Sequence, residues 1–131
     1  MRMFDLRFAG AALAFASLAA AGAVQAQPTG EQLYNDNCAA CHQKAGQGIP
    51  GAFPALAGDK VVLGDSKVVT FVVLTGRGGM PAFKDSLGDA DLATIMTYVR
   101  SAWGNKAKPI AAGDFAQART GPPPSTRLQA H

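Results

Sequence analysis

The sequence predicts an all-α fold, and three observations carry that expectation. Leu92, Ile95, Met96, Val99 and Trp103 recur at helical spacing between Asp89 and Gly104. Thr29 to Asn37 opens on Thr29 followed three residues later by Gln32, the pattern of a capping box. The remaining chain is rich in glycine, and between its segments stands Cys38-Ala39-Ala40-Cys41-His42. Two thiols at that spacing can each form a thioether with one vinyl group of a single haem, and the histidine that follows is placed beneath the iron. The expected architecture is therefore three main helices and glycine-rich loops wrapped around one covalently bound haem c.

The chain begins with Arg2 and Arg7 against Asp5, then an apolar run from Phe8 to Val24, then Val24-Gln25-Ala26, a small-residue cleavage site. This reads as a secretory signal peptide over residues 1–26. A retained membrane anchor is the competing reading, but the run is marginal against the roughly 20 apolar residues that a span requires. Of the 131 residues, the remainder is enough for one domain and small for an unaided core. A buried macrocycle would add apolar surface. Export also suits the cysteines, which must be reduced for attachment in a compartment that otherwise favours a disulfide.

The first helix of the exported chain runs from about Thr29 to Asn37, with Leu33 and Tyr34 on its apolar side. Gln43 to Asp65 follows, a glycine- and proline-bearing loop long enough to be functional and expected to wrap the haem. Ser66 to Thr75 comes after Gly64-Asp65 and stops at Gly76; its valine-rich content suits a helix or a buried strand, and periodicity does not decide between them. The third helix starts with Asp89 as its cap and ends at Gly104. Beyond it, 105–131 contains Pro109 and Pro122-Pro123-Pro124, with only Ile110 and Phe115 as anchors. From about Gly121 it reads as a mobile tail.

Other chemistries for the two cysteines fare worse. A thioredoxin-like pair should sit beside a βαβ pattern, and a zinc site needs two more ligands. The only other histidine is His131, the last residue. With His42 on one side of the iron, the sixth ligand is sought among Met80 and Met96, because Met1 and Met3 leave with the signal. Met96 lies in the apolar stripe of the third helix and reads as core. Met80 stands in Gly76-Arg77-Gly78-Gly79-Met80-Pro81-Ala82-Phe83, where glycines let the backbone approach a flat ring and Pro81 stiffens the exit. Met80 is the expected ligand. Glu31, Asp89 and Asp91 read as helix-start carboxylates; Arg77 is either a solvated loop residue or a propionate partner.

These motifs together resemble the class I monohaem cytochromes c, of the small soluble bacterial type. The resemblance covers about Thr29 to Gly104. It implies that the carbonyl of Pro54 accepts a hydrogen bond from His42 and that Leu56 packs against the haem, both residues lying in Phe53-Pro54-Ala55-Leu56. It implies that the first and last helices cross through Gly30 and Tyr34 on one and Ile95 and Tyr98 on the other, and it tips Ser66 to Thr75 toward helix. Phe53 departs from the family, many members of which have glycine there. Loop texture over Gly46 to Gly58, Gly76 to Phe83 and Arg100 to Asn105 is similar to small cytochromes that serve periplasmic dehydrogenases.

The implied function is one-electron transfer in the periplasm, from a dehydrogenase to an oxidase or another cytochrome, with no catalytic residue in the chain itself. His/Met ligation raises the reduction potential relative to two nitrogens. An electron-relay subunit of a dehydrogenase complex is a second reading. A gas- or peroxide-binding protein is a third, should Met80 not ligate. Nucleic acid is not an expected partner: the net charge of +3 falls to +2 once Arg2, Arg7 and Asp5 are removed, and no basic block occurs. Contact with a membrane is expected only if the signal segment is retained.

Overall fold

The computed structural model describes residues 26–125. The expected signal segment up to Gln25, with Met1 and Met3, and the final residues 126–131, with His131, lie outside the described residues. Among the described residues six helices follow one another: α1 (Gly30–Asn37), α2 (Ala39–His42), α3 (Lys60–Leu63), α4 (Ser66–Thr75), α5 (Asp89–Val99) and α6 (Ala112–Thr120). Among the described residues there is no strand, only two isolated bridges inside loops. No helix among them is long and apolar enough to cross a membrane.

Local sequence sets the start of each early helix. Thr29 Oγ1 accepts from the Gln32 amide at 3.2 Å while Gln32 Oε1 accepts from the Thr29 amide at 2.8 Å, closing the expected box on α1. Asp59 caps α3 through the Val62 amide, and Asp65 caps α4 through the Lys67 amide. The valine-rich segment is a helix. Its Val68, Val69, Val73 and Leu74 are buried, so tertiary burial decides a conformation that propensity left open.

α5 differs from expectation at both ends. Gly88 is its N-cap and makes no side-chain cap bond, while Asp89 is the first helical residue. The helix stops at Val99, and Trp103 sits in the following turn at φ 53°. Released from the helix, the indole packs on Tyr34 with ring centroids 5.0 Å apart and on Tyr98 at 5.5 Å.

α1 crosses α5, and the crossing depends on Gly30. A Cβ at Gly30 would lie 2.6 Å from Tyr98 Cβ and 2.7 Å from the Thr94 carbonyl oxygen, so no larger residue fits without moving a helix. Tyr34 fills the seam beneath and is fully buried. Its hydroxyl donates to the Gln43 carbonyl at 2.7 Å.

α6 has no counterpart among the expected elements, since the sequence offers only two anchors there. Both anchors are fully engaged: Ile110 and Phe115 are 1 % and 0 % exposed, and α6 packs against α4 and α5. Residues 105–120 are thus bound to the same core as the preceding helices.

Candidate haem site

Among the described residues, helices and loops together border a cavity of about 540 Å³, within the usual range of ligand sites, roughly 300–1,000 Å³. Cys38, Cys41, His42, Pro54, Leu56 and Met80 all line it. The six residues expected from the sequence to hold a haem therefore border the same space. Val69, Val73, Leu92, Ile95 and Val99 supply apolar wall.

The proximal side is built by α2 and the loop after it. The Gln43 amide bonds back to Ala39 at 2.9 Å, and Gln43 then takes φ 64°, turning the chain away after His42. Gly48 donates to the His42 carbonyl at 2.9 Å, and Leu56 and Ala57 donate to the Gly46 carbonyl at 2.7 and 3.0 Å. These bonds fold the loop back onto His42. Phe53, the departure from the family pattern, is paired with Ile49 by two backbone bonds of 2.8 Å and leads into Pro54.

His42 Nδ1 stands 2.9 Å from the Pro54 carbonyl oxygen. A carbonyl only accepts, so Nδ1 carries the hydrogen and Nε2 keeps its lone pair for a metal. The imidazole is buried, 8 % exposed.

Another part of the wall comes from the α4–α5 connection. Arg77 and Met80 exchange backbone bonds of 3.3 and 3.0 Å, forming a tight turn. Gly76 at φ 75° precedes it, and a Cβ there would meet the Met80 carbonyl oxygen at 2.5 Å. Only glycine permits that closure. Arg77 also lines the cavity while remaining exposed. Met96, read as a core residue, is buried on α5 and faces the cavity as well.

Burial pushes the Cys38 thiol up to about 11, with the neighbouring Cys41 adding to the shift. In the unattached chain that thiol is therefore protonated. Burial likewise raises Tyr34, helped by Cys38 and Tyr98.

Two polar residues that sequence reasoning missed hold the cavity's frame. Asn105 accepts from the Gly58 amide at 2.8 Å and donates to the carbonyls of Leu56 and Val99 at 3.1 and 2.8 Å. Arg100, 4 % exposed, donates to the carbonyls of Val62, Gly64 and Lys108. Desolvation lowers its pKa, with Asp65 opposing. Neither has a local sequence signal, because the bonds to Gly58, Leu56, Val62 and Gly64 reach 36 to 49 positions along the chain.

The donor set and the wall fit a covalently bound haem: two thiols, an imidazole with Nδ1 committed and a thioether border one cavity whose remaining wall is largely apolar. Among the described residues no group of three or more His, Cys, Asp or Glu side chains offers a separate metal site. An all-α fold closed on such a site defines a class I-like monohaem cytochrome c, an electron-transfer protein with haem c as its cofactor. The chain belongs to the family described as cytochrome C oxidase, cbb3-type, subunit III, whose model matches residues 25–99.

The cytochrome c subunit of the quinone alcohol dehydrogenase of Gluconobacter oxydans (strain 621H) is 35 % identical over 111 residues, covering 74 % of this chain and 23 % of that subunit. A cytochrome c-552 of Thermus thermophilus is 34 % identical over 102 residues, 66 % of this chain and 68 % of that protein. The crystal structure of cytochrome c6 from the diatom Phaeodactylum tricornutum aligns with a TM-score of 0.47 at 33 % identity, over 56 % of this chain and 90 % of that one. The chain spans about a quarter of the length of the dehydrogenase subunits it resembles. By name, these and other relatives are a cytochrome c-552, cytochrome c subunits of dehydrogenases and a subunit of a cbb3-type cytochrome c oxidase.

Proposed function

We propose that the chain is a periplasmic one-electron carrier whose haem is attached through Cys38 and Cys41 and ligated by His42 and Met80. The single observation behind this reading is that His42, with Nδ1 held by Pro54, and Met80, presented by the Arg77–Met80 turn, line one cavity together with both cysteines. When bound, the haem supplies a one-electron couple. The chain's own residues do the rest: Pro54 orients the imidazole, Leu56 and the α4 and α5 side chains exclude water, and Gly76 fixes the approach of the methionine. Two ligands held on separate, hydrogen-bonded segments need not move between oxidation states, which keeps reorganisation small.

Residues 1–26 are read as the export signal, 27–104 as the cytochrome domain and 105–131 as an extension of it. A dehydrogenase is the proposed donor and an oxidase or a second cytochrome of the respiratory chain the acceptor. The likeness to dehydrogenase cytochrome c subunits supports a second reading, a relay subunit held within such a complex. Purification separates the two: a shuttle elutes alone, a relay with a larger catalytic chain.

The central test is an optically monitored redox titration of protein exported with its own signal. A far-red thioether-to-iron band in the oxidised state is expected. A high-spin spectrum with ready carbon monoxide binding would instead favour a gas- or peroxide-binding role and would remove Met80 as ligand.

A further inference from the structure

Arg119 stands on α6, beyond the residues that match the family model, yet its guanidinium reaches the segment that follows Met80. Nε donates to Asp89 Oδ1 at 2.6 Å, Nη2 donates to the Leu87 carbonyl at 2.8 Å, and Nη1 donates to the Lys84 carbonyl. Three points between Lys84 and Asp89 thus converge on one side chain. Charged donors of this kind make the stronger class of hydrogen bond, and arginine's planar fork serves several acceptors at once where lysine's ammonium does not.

The same segment is held from its other side by α4. Phe83 donates to the Val73 carbonyl at 3.1 Å and Lys84 to the Leu74 carbonyl at 3.2 Å. Lys84 is therefore tied through its N–H to α4 and through its C=O to α6. Only Pro81 and Ala82 separate Met80 from Phe83, and both Phe83 and Leu87 line the cavity beside it. Proline limits the slack in that short link. A shift of Phe83 to Leu87 away from the core would draw Met80 with it.

α6 is itself fixed by Phe115, which is fully buried. The Arg119–Asp89 pair is about a quarter exposed at each partner, 25 % and 29 %, so salt weakens it without abolishing it.

We propose that Arg119 is a positioning residue for Met80: from α6 it clamps Lys84 to Asp89 and so holds the thioether against the cavity and resists its displacement by outside ligands. The proposal rests on the reading of Met80 as the sixth ligand. It assigns the C-terminal helix a part in guarding the iron's distal side.

The test compares oxidised holoprotein of the wild type with Arg119→Ala, Arg119→Lys and Asp89→Asn. Imidazole titration reads access to the sixth position, the far-red band reads the thioether, and far-ultraviolet circular dichroism reads the helices. Arg119→Ala is expected to bind imidazole about tenfold more tightly, the equivalent of one charge-assisted bond. On warming it should lose the far-red band well before its helices melt. Arg119→Lys should fall between, and Asp89→Asn, which leaves both carbonyl bonds, should shift the same way by less. These two variants carry the test if Arg119→Ala does not accumulate.

Imidazole affinity at the wild-type level in the variants, with band and helices melting together, would reduce Arg119 to a brace for the fold and overturn the proposal. A wild-type protein without the band would instead sink the Met80 reading, and the clamp with it.

Discussion

The imidazole of His42 and the carbonyl of Pro54 meet at 2.9 Å, joining two residues twelve positions apart through a loop that bonds back on itself. The acceptor is main chain, so Pro54→Ala preserves it while relaxing φ. The expected cost is about 0.4–1 kcal/mol of stability, from greater freedom of the unfolded chain. Chemical denaturation measures it, and the far-red band and reduction potential should hardly change. A large potential shift would mean that the proline ring, beyond its carbonyl, orients the imidazole.

Both Met80 and Met96 face the cavity, so replacing each separately distinguishes ligand from wall. Met80→Ala should keep covalent haem, lower the reduction potential and admit carbon monoxide. Met96→Leu conserves volume and should cost less than about 1.5 kcal/mol with the far-red band intact. If the band vanishes in Met96→Leu and persists in Met80→Ala, the ligand is on α5.

At Gly30 two opposing effects can be weighed. Alanine gains up to about 1 kcal/mol in helix propensity over glycine, but overpacking costs typically about 1–3 kcal/mol. The 2.6 Å and 2.7 Å approaches involve Cβ and backbone atoms, which have little room to yield, so overpacking should win. Gly30→Ala is expected to lower the denaturation midpoint. A midpoint at or above wild type would show that α1 can lift off α5 cheaply.

Phe115 tests whether the C-terminal segment belongs to the core. Phe115→Ala should cost about 3–5 kcal/mol, the range for a fully buried phenylalanine. Truncation after Gly104 removes Ile110 as well and should destabilise further. A truncated holoprotein as stable as the full chain would make α6 an ornament.

Burial raises the Tyr34 pKa above its ordinary value of 10. The folded state therefore favours the protonated phenol, and its contribution is complete below pH 10 and declines as pH rises beyond it. Attachment of Cys38 as a thioether removes that residue's share of the shift and leaves the desolvation. Tyr34→Phe should flatten stability above that pH, while at neutral pH it loses about 1 kcal/mol with the bond to Gln43. Parallel stability–pH curves for the two proteins would contradict this.

Short-range signals are readable in the sequence. The Thr29/Gln32 box and the span of α4 need only neighbouring residues, and the cavity residues follow from the pentapeptide, the glycine-rich methionine loop and the family resemblance. α6 is not readable because one buried residue, Phe115, holds a segment with no apolar stripe, and tertiary packing supplies what propensity lacks. Asp89 reads as a cap for the same reason: without Arg119 in view, a carboxylate at a helix start has no other visible partner. Asn105 and Arg100 bond across distant parts of the chain, where no local pattern records the pairing.

The meeting of Gly30 with Tyr98 also orders events in time. Most of the described chain must be synthesised and looped before those two can touch, because Gly30 opens α1 and Tyr98 lies near the end of α5. Until α5 docks, the wall formed by Leu92, Ile95 and Val99 is missing, and Cys38 and Cys41, just after α1, stay open to modification. A chain in which α1 and α5 are still apart is therefore the form in which a porphyrin would meet both thiols without the finished wall in its way.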